Sequence, residues 1–312
     1  MAMDGQLSSP STSCVLECFL SSTKYDGVPM SRKVFALFVL LLLVSERSFA
    51  SSAATKIIQN GERTMRGVST QSIMEMKVVR DSFTRTLLLR TWTRGKGKAL
   101  VEILGPKKEE GIASLRTGNQ MWNYLPKSDQ VIRIPTSMML QSWMGSDFTN
   151  DDLVKASSLV RDYHHQVVKI QGKGRLKRAV IQCVPKKGAP VVWGKILHWA
   201  RLRDSLPVKQ EYYDENGRLS RTIWFTRFRK MDDRTVPTRI TVKVAGAKKE
   251  KTVVEYKKIL FDRVIASKTF NRHQLRQTLD QGMNIQQGWM TRRLRKPKRV
   301  PSQNRTSIYA AK

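Results

Sequence analysis

The spacing of apolar positions changes twice along the chain. Residues 53–65 place Ile57, Ile58 and Met65 on one helical face and Gly67 follows, which predicts a helix ending at that glycine. Beyond it the period becomes two. Arg239-Ile240-Thr241-Val242-Lys243-Val244 alternates without a fault, Met74, Met76 and Val78 alternate with Glu75 and Lys77, and Ala179, Ile181 and Cys183 alternate with Arg178, Val180 and Gln182. Each row has the pattern of a strand with one buried face. Runs at 84–92, 98–104, 111–117, 119–125, 128–134, 193–202, 207–214, 219–229 and 252–261 complete the set. Turn-forming segments separate them: Gly95-Lys96-Gly97, Pro126-Lys127-Ser128-Asp129, Asp214-Glu215-Asn216-Gly217 and Met231-Asp232-Asp233-Arg234. With no strand-helix-strand alternation, the spacing predicts a mainly β, antiparallel meander that curls partly or wholly into a barrel.

Residues 135–158 break this rhythm. They gather Met138, Met139, Leu140, Trp143, Met144 and Phe148 without alternation. Thr149-Asn150-Asp151-Asp152 ahead of Leu153 reads as a capping box, with Thr149 as cap and Asp152 reaching back, so a short helix starts there. A Met-rich insert against a curved sheet is either a plug of the core or a mobile lid over an apolar cavity, because flexible Met and broad Trp faces adapt to variable shapes.

Residues 34–44 form an apolar run behind Arg32 and Lys33, shorter than the roughly 20 residues that span a bilayer. Ser48-Phe49-Ala50 closes the run with small residues where a signal peptidase reads them. A secretory signal over residues 1–50 with cleavage after Ala50 is expected, its first 29 residues being an extension ahead of Met30. Past the cut only Cys183 remains, so neither an internal disulfide nor a lipid-anchoring cysteine is available to the exported chain.

The formal charge is +32, from 57 Lys and Arg against 25 Asp and Glu. Residues 1–50 hold four of each sign, so export leaves that excess intact, and residues 290–312 hold eight basic residues and no acid. A disordered basic tail over residues 281–312 is expected. Such a charge attracts phosphate-bearing surfaces, either anionic membrane or nucleic acid. The basic residues lie on alternate strand positions, however, and no RNA-binding or helix-turn-helix motif occurs, so no nucleic-acid partner is expected.

Motifs for catalysis are missing. Arg94-Gly95-Lys96-Gly97-Lys98 lacks phosphate-loop spacing, and adjacent His164 and His165 would point to opposite faces of a strand. Ser146 has no nucleophile-elbow surroundings, and Asp147, Asp151 and Asp152 lack a calcium-loop pattern. Neither an enzyme activity nor a cofactor or metal is expected.

One stretch carries a resemblance. Met121-Trp122-Asn123-Tyr124-Leu125-Pro126, Ile132-Arg133-Ile134-Pro135, Ser137-Met138-Met139 and Ser142-Trp143-Met144-Gly145-Ser146-Asp147-Phe148-Thr149-Asn150-Asp151-Asp152-Leu153 resemble the outer-membrane lipoprotein-sorting family, similar to LolA and LolB. Ala189-Pro190-Val191-Val192-Trp193-Gly194-Lys195, Leu206-Pro207 and Pro237-Thr238-Arg239 continue it in order. The resemblance implies that residues 51–280 form an unclosed antiparallel β-barrel with helices covering a concave apolar face. It implies a periplasmic carrier that shields acyl chains of lipoproteins or lipids for delivery to the outer membrane. An inner-membrane transporter or an outer-membrane acceptor would be its partner. Trp122, Tyr124, Met138, Met139, Trp143, Met144, Phe148 and Leu153 are the expected ligand-facing residues. The alternatives are a basic β-protein with a filled interior and one that binds anionic membrane or nucleic acid.

Overall fold

The computed structural model describes residues 52–155, 159–272 and 275. The expected signal with its cleavage point at Ala50 and the expected tail over 281–312 lie outside the described residues. Helix α1 spans 52–66. It stops because Gly67 takes φ 58°, where its N–H still donates to the Arg63 carbonyl at 2.9 Å. A side chain at Gly67 would overlap the Asp262 carboxylate, which accepts from the Val68 N–H at 2.6 Å.

Six strands follow in a meander: β1 (Ser69–Val79), β2 (Thr84–Arg94), β3 (Lys98–Gly105), β4 (Ala113–Thr117), β5 (Gln120–Leu125) and β6 (Gln130–Arg133). The chain then forms two single-turn 3-10 segments, Thr136–Met138 and Trp143–Gly145, and two short helices, α2 (Asn150–Lys155) and α3 (Leu159–Asp162). A second meander completes the fold: β7 (Tyr163–Gln171), β8 (Arg178–Pro185), β9 (Lys195–Arg201), β10 (Pro207–Tyr213), β11 (Leu219–Met231), β12 (Arg234–Val244) and β13 (Lys251–Phe261).

All thirteen strands join one antiparallel sheet in the order β6-β5-β4-β3-β2-β1-β13-β12-β11-β10-β9-β8-β7. Pairing of β1 with β13 fuses the two meanders at the centre, while β6 and β7 remain the unpaired edges of an open barrel. That order dictates the course of the insert. Because β6 is one edge and β7 the other, the residues between them must cross the open side of the curved sheet.

The expected strands all form, and one more appears. β7 pairs with β8 across a bulge at Val167/Lys169, which puts two successive residues against one and breaks the alternation that would have revealed it. As an edge strand it also exposes Val168 and Ile170. Val244, expected in the buried row with Ile240 and Val242, is 44% exposed, since β12 pairs with β13 only from Arg239 to Val242. Among the described residues no helix is long and apolar enough to cross a membrane.

Candidate functional site

Strand alternation sends Met76, Val78, Leu87, Leu89, Ile103, Met121 and Val254 to the concave face of the β1–β6 half and its centre. The insert fills this hollow. Trp143 is 3% exposed in that cluster, with Met139, Met144, Phe148 and Leu153 packed around it. Its indole N–H donates to Ser114 Oγ on β4 at 3.0 Å, so the one polar atom of the side chain is satisfied.

Further polar contacts fasten the insert. Asp147 pairs with Arg80 at 3.1 Å and accepts from the Thr252 hydroxyl at 2.7 Å. Arg85 donates to the Met144 carbonyl, beside a left-handed Met144-Gly145 turn. Asp152 receives both ends of the Arg221 guanidinium, at 2.6 and 2.5 Å. The capping box forms as expected: the Asp152 N–H donates to Thr149 Oγ1 at 3.2 Å, and the Thr149 N–H donates to Asp152 Oδ2 at 2.8 Å.

The eight expected ligand-facing residues are thus divided. Met139, Trp143, Met144, Phe148 and Leu153 share the concave face. Trp122 and Tyr124, one pleat out of phase with Met121, lie on the other face and pack with Leu100, Ala113 and Leu115 against Ile265, Phe270 and Leu275. Met138 is 37% exposed at the surface of the insert.

Over the other half of the sheet α1 is the cover. Ala54 and Ile58 pack on Tyr163, Ile181, Cys183 and Ile196, and Met65 reaches Ile223, Phe225 and Val242. Gly61 permits this approach, because any side chain there would overlap the Ser205 carbonyl of the β9–β10 turn. Beneath the helix lies a cleft of about 210 Å³. Its apolar wall includes Ile58, Met65, Val191, Trp193, Ile196 and Phe225, and its polar groups include Glu62, Arg66, Tyr163, His198, Gln210 and Tyr212. None of the eight expected residues lines it, although Phe148 packs, like Met65 and Tyr212, against the Ile223, Phe225 and Val242 cluster.

Electrostatics in the cleft are those of groups withdrawn from water. Burial pushes the Glu62 carboxyl up to about 7 against the pull of Arg66, and burial lowers Arg66 in turn. Burial, with His165 adding to it, pushes His198 down to about 4, so its imidazole is neutral near pH 7. Burial raises the Tyr212 phenol to about 12. Arg221 lies 4.5 Å from the Tyr212 ring centroid and 4.8 Å from that of Trp193, and the two rings meet edge to face at 5.3 Å. The same arginine therefore braces the cleft wall and holds the insert through Asp152.

His165 has a structural role. One ring nitrogen meets Thr55 Oγ1 and the other the Leu159 carbonyl, both at 2.9 Å, tying α1 and α3 to β7. Among the described residues no His, Cys, Asp and Glu cluster suits a metal ion. The Trp193 segment of the cleft was visible in the sequence as Ala189–Lys195. His198 was visible only as a polar residue in an inward row with Ile196 and Ala200.

Comparison with known proteins supports the architecture. A structure of a DUF1329 family protein from Desulfovibrio piger is 22% identical over 72% of this chain and 99% of its own, with a TM-score of 0.66. A structure from Vibrio parahaemolyticus described as an outer membrane lipoprotein-sorting protein domain is 22% identical over 72% and 99%, with a TM-score of 0.64. A LolA superfamily protein from Nitrosomonas europaea is 24% identical over 70% and 97%, with a TM-score of 0.60. No curated protein matches the chain. A family model with the description "-like: Uncharacterized protein" matches residues 95–277, more than half of the sequence. The chain belongs to that family, and its open half-barrel is the LolA-like, outer-membrane lipoprotein-sorting fold.

Proposed function

We propose that the protein is a non-catalytic periplasmic carrier that shields acyl chains of lipoproteins or lipids on the concave face of its sheet. The observation that carries this reading is the apolar cleft beneath α1, on the same sheet as a hollow that the insert fills and that ion pairs and hydrogen bonds hold closed. Moving an acyl chain into water costs about 0.8 kcal/mol per methylene, so a carrier must replace that contact with apolar wall. The cleft of about 210 Å³ is below the roughly 300–1,000 Å³ of ordinary ligand pockets. It takes part of one chain as it stands, and a larger cargo requires the insert or α1 to shift. Met139, Trp143, Met144, Phe148 and Leu153 then become acyl contacts. The basic surface favours approach to anionic membrane, where an inner-membrane transporter would load the carrier and an outer-membrane acceptor would unload it.

Lipid extraction and mass spectrometry of the purified protein, with titration of a fluorescent fatty-acyl probe, test the reading. Val192, half-buried at the cleft, can be enlarged without touching the core. Val192→Trp is expected to lower probe affinity at least tenfold while leaving the melting temperature nearly unchanged. Absence of both co-purified lipid and probe binding in the wild type would overturn the proposal.

A further inference from the structure

We propose that His198 donates a hydrogen bond to the carbonyl oxygen at the head of an acyl chain, so that the cleft selects acyl esters or amides over bare hydrocarbon. The proposal rests on the carrier reading and adds to it a polar determinant of what is carried.

A directed chain of hydrogen bonds fixes the state of this histidine. The Tyr212 hydroxyl donates to Gln210 Oε1 at 2.9 Å, and the other end of that side chain is the amide nitrogen. This nitrogen lies 2.8 Å from His198 Nδ1 and can only donate, so Nδ1 accepts. In a neutral imidazole the remaining proton must then sit on Nε2. His198 is 4% exposed and lines the cleft, and its Nε2 meets no hydrogen-bond acceptor among the described residues; that atom is closed to water as the cleft stands, so a carbonyl reaches it only when α1 or the insert shifts. A buried N–H without an acceptor is costly, and hydrocarbon cannot satisfy it.

The surroundings restrict what can. Ile58, Ile196 and Phe225 leave an apolar path for a chain, and Trp193 and Tyr212 wall its side. A carbonyl oxygen accepts without bringing a charge into this low-dielectric space. A free carboxylate would bring one into a cleft lined by three acids, Glu62, Asp151 and Asp152, against one cation, Arg66, that already interacts with Glu62. An ester or amide linkage thus fits better than a free fatty acid. The relay also ends at the cover, because Tyr212 lies under Arg221 and Arg221 holds Asp152 of the insert.

The test compares four probes of equal chain length: an alkane, a fatty-acid methyl ester, its N-methyl amide and the free acid. Each displaces a fluorescent acyl probe from the delipidated wild type, from His198→Phe and from Gln210→Leu. The wild type should bind ester or amide about three- to tenfold more tightly than alkane, the range of one net hydrogen bond. The better of the two identifies the linkage recognised. His198→Phe should lose this preference, so that ester, amide and alkane bind it alike, and Gln210→Leu, which frees the tautomer, should reduce the preference. In nitrogen-15 NMR of the wild type, the His198 Nε2–H resonance should move with ester or amide and not with alkane. Equal binding of alkane, ester and amide, or a preference that survives in His198→Phe, would overturn the carbonyl assignment and leave the carrier reading intact. Failure of every probe to bind would overturn both. If His198→Phe does not fold, an Nε2–H resonance unmoved by ester and amide suffices to refute the assignment.

Discussion

The two halves of the concave face are built from one sheet and covered differently. On the β1–β6 side the inward pleats offer Met76, Val78, Leu87 and Leu89, and the insert answers with Trp143, whose single polar atom finds Ser114. On the β8–β11 side the inward pleats include His198, Gln210 and Tyr212, and the cover is α1, whose Glu62 and Arg66 face the same space. Aliphatic walls can be filled to crystal-like density by one large side chain. Around the polar walls the partners sit at set distances and angles, and here the space between them stays open. On the proposed reading, the plug as it stands serves stability and the cleft takes the first part of the ligand.

The strongest way to break this division is Trp143→Ala. A plug residue should lose about 3–5 kcal/mol, measured by urea denaturation, with probe affinity retained by the molecules that stay folded. A small stability loss with lost probe binding would instead make the insert part of the ligand site.

Titration sharpens the other side of the comparison. His198 sits at about 4 instead of its ordinary 6.5, so as pH falls from 6.5 to 4 the unfolded chain gains a proton that the folded one refuses, and stability drops. Glu62 sits at about 7 instead of 4.5, so as pH rises from 4.5 to 7 the unfolded chain releases a proton that the folded one keeps, and stability drops in that direction. Each effect amounts to roughly 3 kcal/mol at 1.36 kcal/mol per pH unit, and the two oppose each other where they overlap. Relative to wild type, Glu62→Gln should therefore gain stability as pH rises from 4.5 to 6.5, and His198→Phe should lose it. Parallel pH profiles for the three proteins would show that the cleft is hydrated and its groups ordinary.

The smallest expected effect is at the insert's helix. Thr149→Ala should cost about 1 kcal/mol, the worth of one cap, and leave the pH profile unchanged. A much larger loss would mean that α2 holds the insert together more than Trp143 does.

What could be read in the sequence follows from the range of each interaction. The row Arg239–Val244 announces β12 because alternation is local, and the Thr149–Asp152 box is local too. β7 was hidden by its bulge and by the outward Val168 and Ile170 of an edge. The sequence groups Trp122 and Tyr124 with the insert because residue type and proximity in sequence say nothing about phase. Only the pairing of β5 with β4 and β6 decides which pleat faces inward. The cleft was illegible for a stronger reason: its walls come from residues between Ile58 and Phe225, brought together by three helices, the Val191–Trp193 loop and four strands.

The seam between β1 and β13 sets the kinetic cost of reaching this structure through sequence distance. Met76 faces Val254, partners about 180 residues apart, whereas every other neighbouring pair of strands is consecutive in the chain. Each meander can zip from its own hairpins within microseconds to milliseconds, but the seam must wait for both. Until it closes, β1 and β13 each present a bare edge with an apolar inner face, which is the form most open to pairing with a second chain. Slow refolding with concentration-dependent losses is the kinetic signature this topology carries.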